Sequence, residues 1–325
     1  MVDAVQIQKL AQVIEVLAKD VFNDPQQRYF VVLDRLDEHW VADTLRYKLI
    51  RALLETVKDL QKITSAKLVV AIRHDLLQRV FRETRDAGFQ EEKYQALYLP
   101  LTWQRDTLLT VLDKRLTKLV RHQYSAGAVS WVDVFPTHVG RDDTGNYLVE
   151  RTLYRPRDII QFCNTCIDLS VDKPDITAQS IRDAESTYST LRFRSLGDEW
   201  AADFPELLNV AELLKKRSPL FPVSDVTVDQ LDGYCIQALD AAPKSPLHGF
   251  FQSYYEGALP FEDLRAKVLA TFYEVGLVGL KVDSTAAISW SYKERDVLRS
   301  VDIGPDTKVA VSPMFYRVLG TDLRQ

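Results

Sequence analysis

The segment YFVVLDRLDE, residues 29–38, indicates the fold class of this chain. Its first five residues form a continuous apolar run, which is typical of a strand that is buried on both faces. Asp34 follows this run directly, and Asp37 and Glu38 lie just beyond it. Ligands of open α/β sheets bind outside the carboxyl ends of the strands. The segment therefore predicts a parallel sheet with three acidic side chains at a ligand-binding edge.

Strand and helix patterns alternate around this segment through the first 124 residues. Apolar runs predict further strands over residues 67–72 and 96–101. Helical periodicity predicts helices over residues 4–22, 45–60, 75–87 and 103–123. Strands that alternate with helices are characteristic of a parallel α/β sheet, so residues 1–124 are expected to form an α/β domain.

The rest of the chain has a different character. Helical patterns predict a small all-helical domain over residues 125–203. Residues 204–325 contain four short helical patterns and then three strand-like runs, LVGLKV, AISWSY and KVAVSP. A helix followed by a β-hairpin predicts a winged-helix-like α+β domain at the C-terminus.

The composition limits the classes of function. The chain has 325 residues with 41 basic and 46 acidic side chains, and its formal net charge is −5. Such mild acidity gives no overall attraction to nucleic acids or anionic membranes. Cys163, Cys166 and Cys235 are too few for a disulfide framework, which favours a reducing compartment. No apolar run approaches the ~18 uncharged residues of a membrane span, so the sequence predicts a cytoplasmic protein without membrane contact.

The acidic residues after the first strand suit the chemistry of nucleotide hydrolysis. That reaction requires one carboxylate that holds Mg²⁺ through its water shell and a second acid that orients the attacking water. Asp34, Asp37 and Glu38 could supply both groups. In the alternative interpretation, Asp34 caps the following helix and the other two acids are solvated.

Four segments carry a resemblance to a known family. They are YFVVLDRLDEHW at 29–40, LRYKLIRALLETVKDLQKI at 45–63, KLVVAIRHDLLQRVFRETRDAGFQEEKY at 67–94 and YRPRDIIQF at 154–162. In this order they resemble the later part of a bacterial P-loop ATPase family, in the STAND-like, signal-transduction branch of the additional-strand P-loop ATPases. The resemblance is close over about residues 25–200 and looser beyond. It implies a P-loop NTPase core, ATP and Mg²⁺ as cofactors, and a role in signalling or defence.

The resemblance implies a role for each polar residue at the strand ends. Asp34 falls at the Walker B position that holds magnesium. Asp37 and Glu38 fall at the family's acidic pair, and Glu38 is the predicted activator of water. Arg73 closes the second strand and falls at the sensor 1 position, where a polar group touches the γ-phosphate. His74 beside it is a further predicted nucleotide contact.

The resemblance also implies nucleotide contacts from the helical domain. Arg157, within Arg155-Pro156-Arg157-Asp158, resembles a sensor 2 arginine that reaches the phosphates from a helical lid. Arg155 is a second predicted contact. A guanidinium offers a forked, charged set of donors that suits phosphate oxygens. Pro156 suits the first turn of a helix and would determine where Arg157 projects.

Two features depart from the family. Arg35 stands where the family often has an acid. The phosphate-binding loop G-x-x-x-x-G-K-[ST] does not occur in the sequence, and in the family it would precede residue 1. We therefore expect a partial P-loop sheet, and a regulatory switch module that does not hydrolyse ATP alone. The alternative is a non-catalytic interaction scaffold. In either case we expect self-association or a protein partner.

A DNA-binding winged helix is the third function considered. The helix that would enter the major groove, predicted over residues 261–275, carries Arg265 and Lys267. These two charges are opposed by Glu262, Asp263 and Glu274. Binding through counterion release needs several net positive contacts, so nucleic acid is not an expected partner.

Overall fold

A computed structural model describes residues 9, 12–24, 26–38, 40–60, 63–84, 92–120, 127–240, 245–294 and 297–323. The chain divides into two compact units, Met1–Leu99 and Pro100–Gln325. The protein is mixed α/β, with more helix than strand. The predicted helix over 103–123 belongs to the second unit, and the division into three domains stays a prediction.

The first unit contains a two-stranded parallel sheet and several helices. Residues 12–16 are helical and continue into a π-helical turn at Leu17–Val21. The elements that follow are β1 (Tyr29–Leu33), α1 (Asp43–Leu60), β2 (Ala66–Val70), α2 (His74–Glu83) and α3 (Glu92–Gln95). β1 and β2 pair in parallel, with Tyr29 opposite Ala66 and Leu33 opposite Val70. The β1–α1–β2 order that the alternating pattern predicts is confirmed. The predicted helix ends at residues 4–8, 85–87 and 121–123 lie outside the described residues.

The buried core of the first unit lies on α1 and α2. Its members are the apolar side chains Tyr47, Ile50, Leu54, Leu76, Leu77 and Val80. The expectation that β1 is buried on both faces is wrong, because Phe30 and Val32 are exposed. An apolar run shows that a strand is suited to burial, but it does not show that another element covers it.

The predicted strand over residues 96–101 is also wrong. Residues 96–97 form a turn, and residues 98–101 have no regular structure. Tyr98 packs against the core of α1 and α2, whereas Leu99 exposes 83% of its surface. The run of apolar residues suits a strand, but a strand also requires a neighbour that completes its hydrogen bonds.

The second unit begins with a helical region. Its elements are α4 (Arg105–Val120), α5 (Trp131–Val134), the short hairpin β3 (His138–Val139) and β4 (Asp142–Asp143), α6 (Thr144–Glu150), α7 (Pro156–Asp168) and α8 (Ala178–Trp200). Pro156 occupies the first turn of α7, as predicted. Thr177 caps α8 by accepting a hydrogen bond from the Ser180 N–H. The small hairpin was missed, because two-residue strands carry no recognisable periodicity.

The C-terminal region combines short helices with an antiparallel sheet. Its elements are β5 (Leu220–Pro222), α9 (Leu207–Val210), α10 (Val228–Asp240), α11 (Pro246–Tyr255), α12 (Phe261–Glu274), β6 (Val278–Lys281), β7 (Lys308–Val311) and α13 (Tyr316–Leu319). The strand order is β5–β7–β6. The strands within LVGLKV and KVAVSP are confirmed. AISWSY contributes only one bridge, between Ser289 and Leu280, because the chain turns at residues 291–293. The winged-helix arrangement stays a prediction.

Within the described ranges, no helix is both long and apolar enough to cross a membrane. Cys163, Cys166 and Cys235 are buried free thiols. Burial raises the pKa of Cys163, and it raises the pKa of Cys166 to about 12. These thiols are therefore protonated at neutral pH and behave as small apolar side chains.

Candidate functional site

The acidic loop after β1 lies at the carboxyl end of the parallel sheet. Its backbone turns sharply at Arg35, which has a φ of 62°. That left-handed conformation is uncommon for a residue with a side chain. The Arg35 N–H donates to Asp34 Oδ1 at 2.8 Å, and the Glu38 N–H donates to the Arg35 carbonyl at 3.3 Å. The loop therefore folds back on itself directly after the strand, and Asp34 does not cap α1, which begins only at Asp43.

A buried arginine holds this loop from the neighbouring helix. Arg46 on α1 exposes only 2% of its surface, and its Nη1 donates to the carbonyls of Asp37 and Glu38, both at 3.1 Å. Hydrogen bonds from a charged donor are stronger than those between neutral groups. Arg46 thus fixes the backbone that carries the two acids, so that their carboxylates project from a defined position.

Arg46 was not among the residues predicted from the sequence. Leu45 and Leu49 have the spacing of a buried helical stripe, but both are exposed. The buried stripe instead contains Ile50 and Leu54, with Arg46 at the same helical spacing. An arginine in line with two core residues is the signal that could have revealed it.

The end of β2 brings a basic residue to the acidic loop. Arg73 precedes α2, and its Nη1 lies 3.8 Å from Asp37 Oδ2. Both side chains are partly exposed, and His74, the first residue of α2, is exposed. On the other side of the loop, Arg35 Nη1 lies 3.7 Å from Glu38 Oε1. The β1–α1–β2 connection therefore brings five of the predicted site residues to one edge of the sheet: Asp34, Asp37, Glu38, Arg73 and His74.

These residues fit a magnesium nucleotide in part. One oxygen of the exposed Asp34 accepts the Arg35 N–H, which leaves the second oxygen for a hydrated cation. Arg73 is a suitable donor to phosphate oxygens. Among the described residues, no three His, Cys, Asp or Glu side chains form a group that could hold a metal ion. The role that the resemblance implies for Asp34, through the water shell of magnesium, stays a prediction.

Arg155 and Arg157, the two arginines that the resemblance assigns to a lid, belong to the second unit. Arg155 Nη1 lies 2.9 Å from Glu199 Oε2, and Arg192 Nη2 lies 3.3 Å from the other oxygen of the same carboxylate. Burial would raise the pKa of Glu199, but Arg155 and Arg192 outweigh that effect and the pKa is lowered. Arg157 is exposed on the first turn of α7. The guanidinium of Arg155 is therefore already neutralised by a carboxylate, whereas that of Arg157 faces solvent.

The second unit contains a buried charged cluster that the sequence analysis also missed. Glu185 on α8 exposes 1% of its surface and accepts hydrogen bonds from Tyr147 at 2.5 Å, Arg151 at 2.7 Å and Arg317 at 3.0 Å. The Arg151 guanidinium also lies 3.3 Å from the centre of the Tyr147 ring. Burial, together with the nearby Glu185 carboxylate, raises the pKa of Tyr147 to about 12 although Arg151 opposes the shift. The cluster joins α6, α8 and the C-terminal α13.

Part of the second unit matches a known domain family. The mixed α/β architecture places the acidic edge in the first unit and a helical region at the start of the second. Residues 106–197 of that helical region match the FunZ-associated C-terminal helical domain. The match runs from α4 into α8 and includes Arg155 and Arg157. No curated protein and no solved structure matches the chain.

Proposed function

We propose that this chain is a regulatory module derived from a P-loop ATPase, whose acidic edge contacts the phosphates and magnesium ion of a nucleotide. One observation carries the proposal. The parallel β1–β2 pair brings the acidic loop and Arg73 to one sheet edge, where Nη1 of Arg73 lies 3.8 Å from Oδ2 of Asp37. Opposite charges at the carboxyl ends of parallel strands suit a ligand that carries both phosphate and a cation.

Each residue of this edge has a distinct part in the proposal. Asp34 would hold the magnesium ion through its water shell, and Glu38 would orient a water molecule. Arg73 and His74 would donate hydrogen bonds to phosphate oxygens. Arg46 is a positioning residue, because its bonds to two carbonyls hold the loop in place before any ligand arrives. When bound, magnesium supplies neutralisation of phosphate charge.

The same residues are not expected to hydrolyse the nucleotide without further parts. The sequence contains no loop of the type G-x-x-x-x-G-K-[ST], whose backbone N–H groups and lysine stabilise the phosphates. Loss of one such charge-stabilising group costs on the order of 3–4 kcal/mol in the transition state. Loss of the whole loop should therefore leave no measurable turnover.

Nucleotide binding is tested by the thermal stability of the full chain. We expect ATP with Mg²⁺ to raise the unfolding temperature, and ATP with EDTA to raise it less. A ligand at ~100 times its Kd stabilises the bound protein by about 2.7 kcal/mol. Asp34→Asn and Arg73→Ala should remove the shift, whereas Asp20→Asn, a change at an exposed acid of the same unit, should retain it. The absence of any magnesium-dependent shift in the wild type would contradict the proposal.

Turnover is tested separately, by phosphate release from the purified chain. We expect no release above a sample without protein. Clear magnesium-dependent release that Glu38→Gln abolishes would show that the chain is an active ATPase and that the expectation of inactivity is wrong.

An interaction scaffold without nucleotide is the second candidate. The ion pair between Arg155 and Glu199 favours it, because an arginine engaged at 2.9 Å must break that pair before it can reach a phosphate. In this case the thermal shift is absent, and Glu199→Gln, which releases Arg155, does not create one.

A further inference from the structure

One face of the β1–β2 sheet carries exposed apolar side chains. Phe30 and Val32 on β1 point to the same side as their partners Lys67 and Val69 on β2, because side chains alternate along paired strands. Phe30, Val32 and Val69 expose 62%, 64% and 40% of their surfaces. Phe30, Val32, Lys67 and Val69 together form the surface that we call the open face. Except for Val31, the residues of β1 and β2 that point the other way are half-buried.

An open face of this kind is unusual for parallel strands. Parallel sheets occur almost only where both faces are covered by other elements. A cluster of exposed apolar side chains beside charged residues is also a common mark of an interaction surface. The open face therefore suits burial against a partner surface that is apolar at its centre.

The charges at the two ends of the open face identify the partner. Arg28 directly precedes β1 and Asp34 directly follows it, so these two charged residues flank the open face at opposite ends. Both are exposed, and Lys67 lies level with Phe30, near the Arg28 end. The face is thus basic at one end, apolar in the middle and acidic at the other end.

We propose that the open face binds the open face of a second copy of this chain. In a two-fold arrangement with antiparallel β1 strands, Arg28 of each copy faces Asp34 of the other, and Phe30 faces Val32. The alternative two-fold axis, parallel to the strands, would place Phe30 against Lys67 and would leave Arg28 and Asp34 without opposite charges. Charge complementarity therefore selects both the partner and the antiparallel arrangement.

The dimer is independent of the proposed nucleotide function, but the two share Asp34. A carboxylate that faces Arg28 of the second copy is not available to a hydrated magnesium ion. The self-association experiment is therefore performed with EDTA and without nucleotide, so that a failure to bind ATP leaves its result unchanged.

The first experiment measures the mass of the full chain by sedimentation over a range of protein concentrations. Two short strands offer less than the ~800 Å² per partner of a stable interface, so the dimer should appear only as the concentration rises. Phe30→Asp and the milder Val32→Thr should weaken the dimer. Val301→Asp changes a residue of the second unit that is 78% exposed, and it should not. Circular dichroism checks that each variant retains the fold.

The second experiment tests the antiparallel arrangement at low ionic strength. Arg28→Asp and Asp34→Arg should each raise the dissociation constant about tenfold, because each replaces two attractive contacts per dimer by repulsive ones. The double variant restores opposite charges and should recover the wild-type constant. A wild type that is monomeric at every concentration, or a dimer that Phe30→Asp leaves intact, overturns the proposal. A double variant that stays as weak as the single ones overturns the antiparallel arrangement.

Discussion

An ion pair of the first unit and a charged cluster of the second lie in opposite environments. In the first unit, Asp37 and Arg73 meet at 3.8 Å with both side chains partly exposed. In the second, Glu185 is buried among Tyr147, Arg151 and Arg317, with contacts of 2.5 to 3.0 Å. An exposed pair is screened by water and can exchange its partner for a ligand. A buried cluster cannot do so without leaving a charge unpaired. The first environment suits recognition, and the second suits the attachment of one element to another.

The hydrophobic cores of the two units differ in size. Among the described residues of the first unit, the core cluster contains six buried apolar residues on two helices. That of the second extends from α4 to α13 and includes the edge-to-face pair of Phe193 with Phe315. Because Arg317 and Phe315 both contact α8, the C-terminal segment is attached to the helical region by charge and by packing. We expect these parts of the second unit to move together.

The largest expected effect is on the buried cluster. Glu185→Ala leaves Arg151 and Arg317 without their carboxylate, and removal of one partner of a buried ion pair costs about 3–5 kcal/mol. We expect the free energy of unfolding of the second unit to fall by that amount. Urea unfolding followed by tryptophan fluorescence measures it, since four of the five tryptophans, at positions 103, 131, 200 and 290, lie in this unit.

Asp198→Ala is the control for this prediction, because Asp198 is an exposed acid on the same helix. Its effect should stay within about 0.5 kcal/mol. If the two variants lose equal stability, the buried cluster is not a stabilising centre and the contrast between the units fails.

The next largest effect is expected at Arg46, the buried arginine of the first unit. Arg46→Met keeps an apolar stem on α1 but removes the donors to the carbonyls of Asp37 and Glu38. Hydrogen bonds to a charged group contribute about 1.5–3 kcal/mol, so we expect a loss in that range. Hydrogen exchange of the amides of residues 34–38 should accelerate. Lys48→Met, at an exposed position of α1, should leave their exchange rates unchanged.

A smaller effect depends on pH. The lowered pKa of Glu199 means that its ion pairs stabilise the folded state above the ordinary value of 4.5, and that this stability is lost as the pH falls through the folded value. The difference in unfolding free energy between wild type and Glu199→Gln, about 1 kcal/mol at neutral pH, should therefore disappear in acid.

The pKa of Asp158 is shifted in the opposite direction. Asp158 pairs with Arg192, which also contacts Glu199. Burial raises its pKa, although Arg192 and Arg155 oppose the shift. For this group protonation favours the folded state, so the stability that Asp158 contributes rises as the pH falls through the folded pKa. Asp158→Asn should thus give a pH slope of the opposite sign in the same unfolding experiment. Equal slopes for the two variants would contradict the assignment.

The smallest effect is expected for the exposed pair. Asp37→Ala should lower the stability of the first unit by no more than about 1 kcal/mol, because exposed ion pairs contribute about 0–1 kcal/mol. The effect should vanish near 1 M salt, where the screening length is ~3 Å. A loss as large as that of Glu185→Ala would remove the distinction between the two environments.

Much of the secondary structure could be predicted from the sequence, because its signals are local. The β1–α1–β2 order, the start of α7 at Pro156 and the strand within KVAVSP were all predicted. The strand over residues 96–101 was wrong for a physical reason. Its apolar run suits a strand, but only a neighbouring strand can complete the hydrogen bonds.

The candidate site could be predicted in part. The position of Asp37 and Arg73 after consecutive parallel strands was sufficient to place them at one edge. Arg46 could not be assigned to the acidic loop in this way, because its two acceptors are backbone carbonyls, which every residue has. Nor did any pattern indicate that Arg155 would be held by Glu199, 44 positions along the chain.

Taken alone, the amino-acid sequence determined where several of the helices and strands lie, because periodicity, proline and capping residues act over a few positions. It also determined that acidic and basic residues follow consecutive strands. Only the tertiary structure decided that β1 keeps one face open and that Glu185 meets Arg317, 132 positions away. Burial and the pairing of charges depend on residues that are distant in the sequence and meet only in the folded chain. Local sequence patterns contain no information about these contacts.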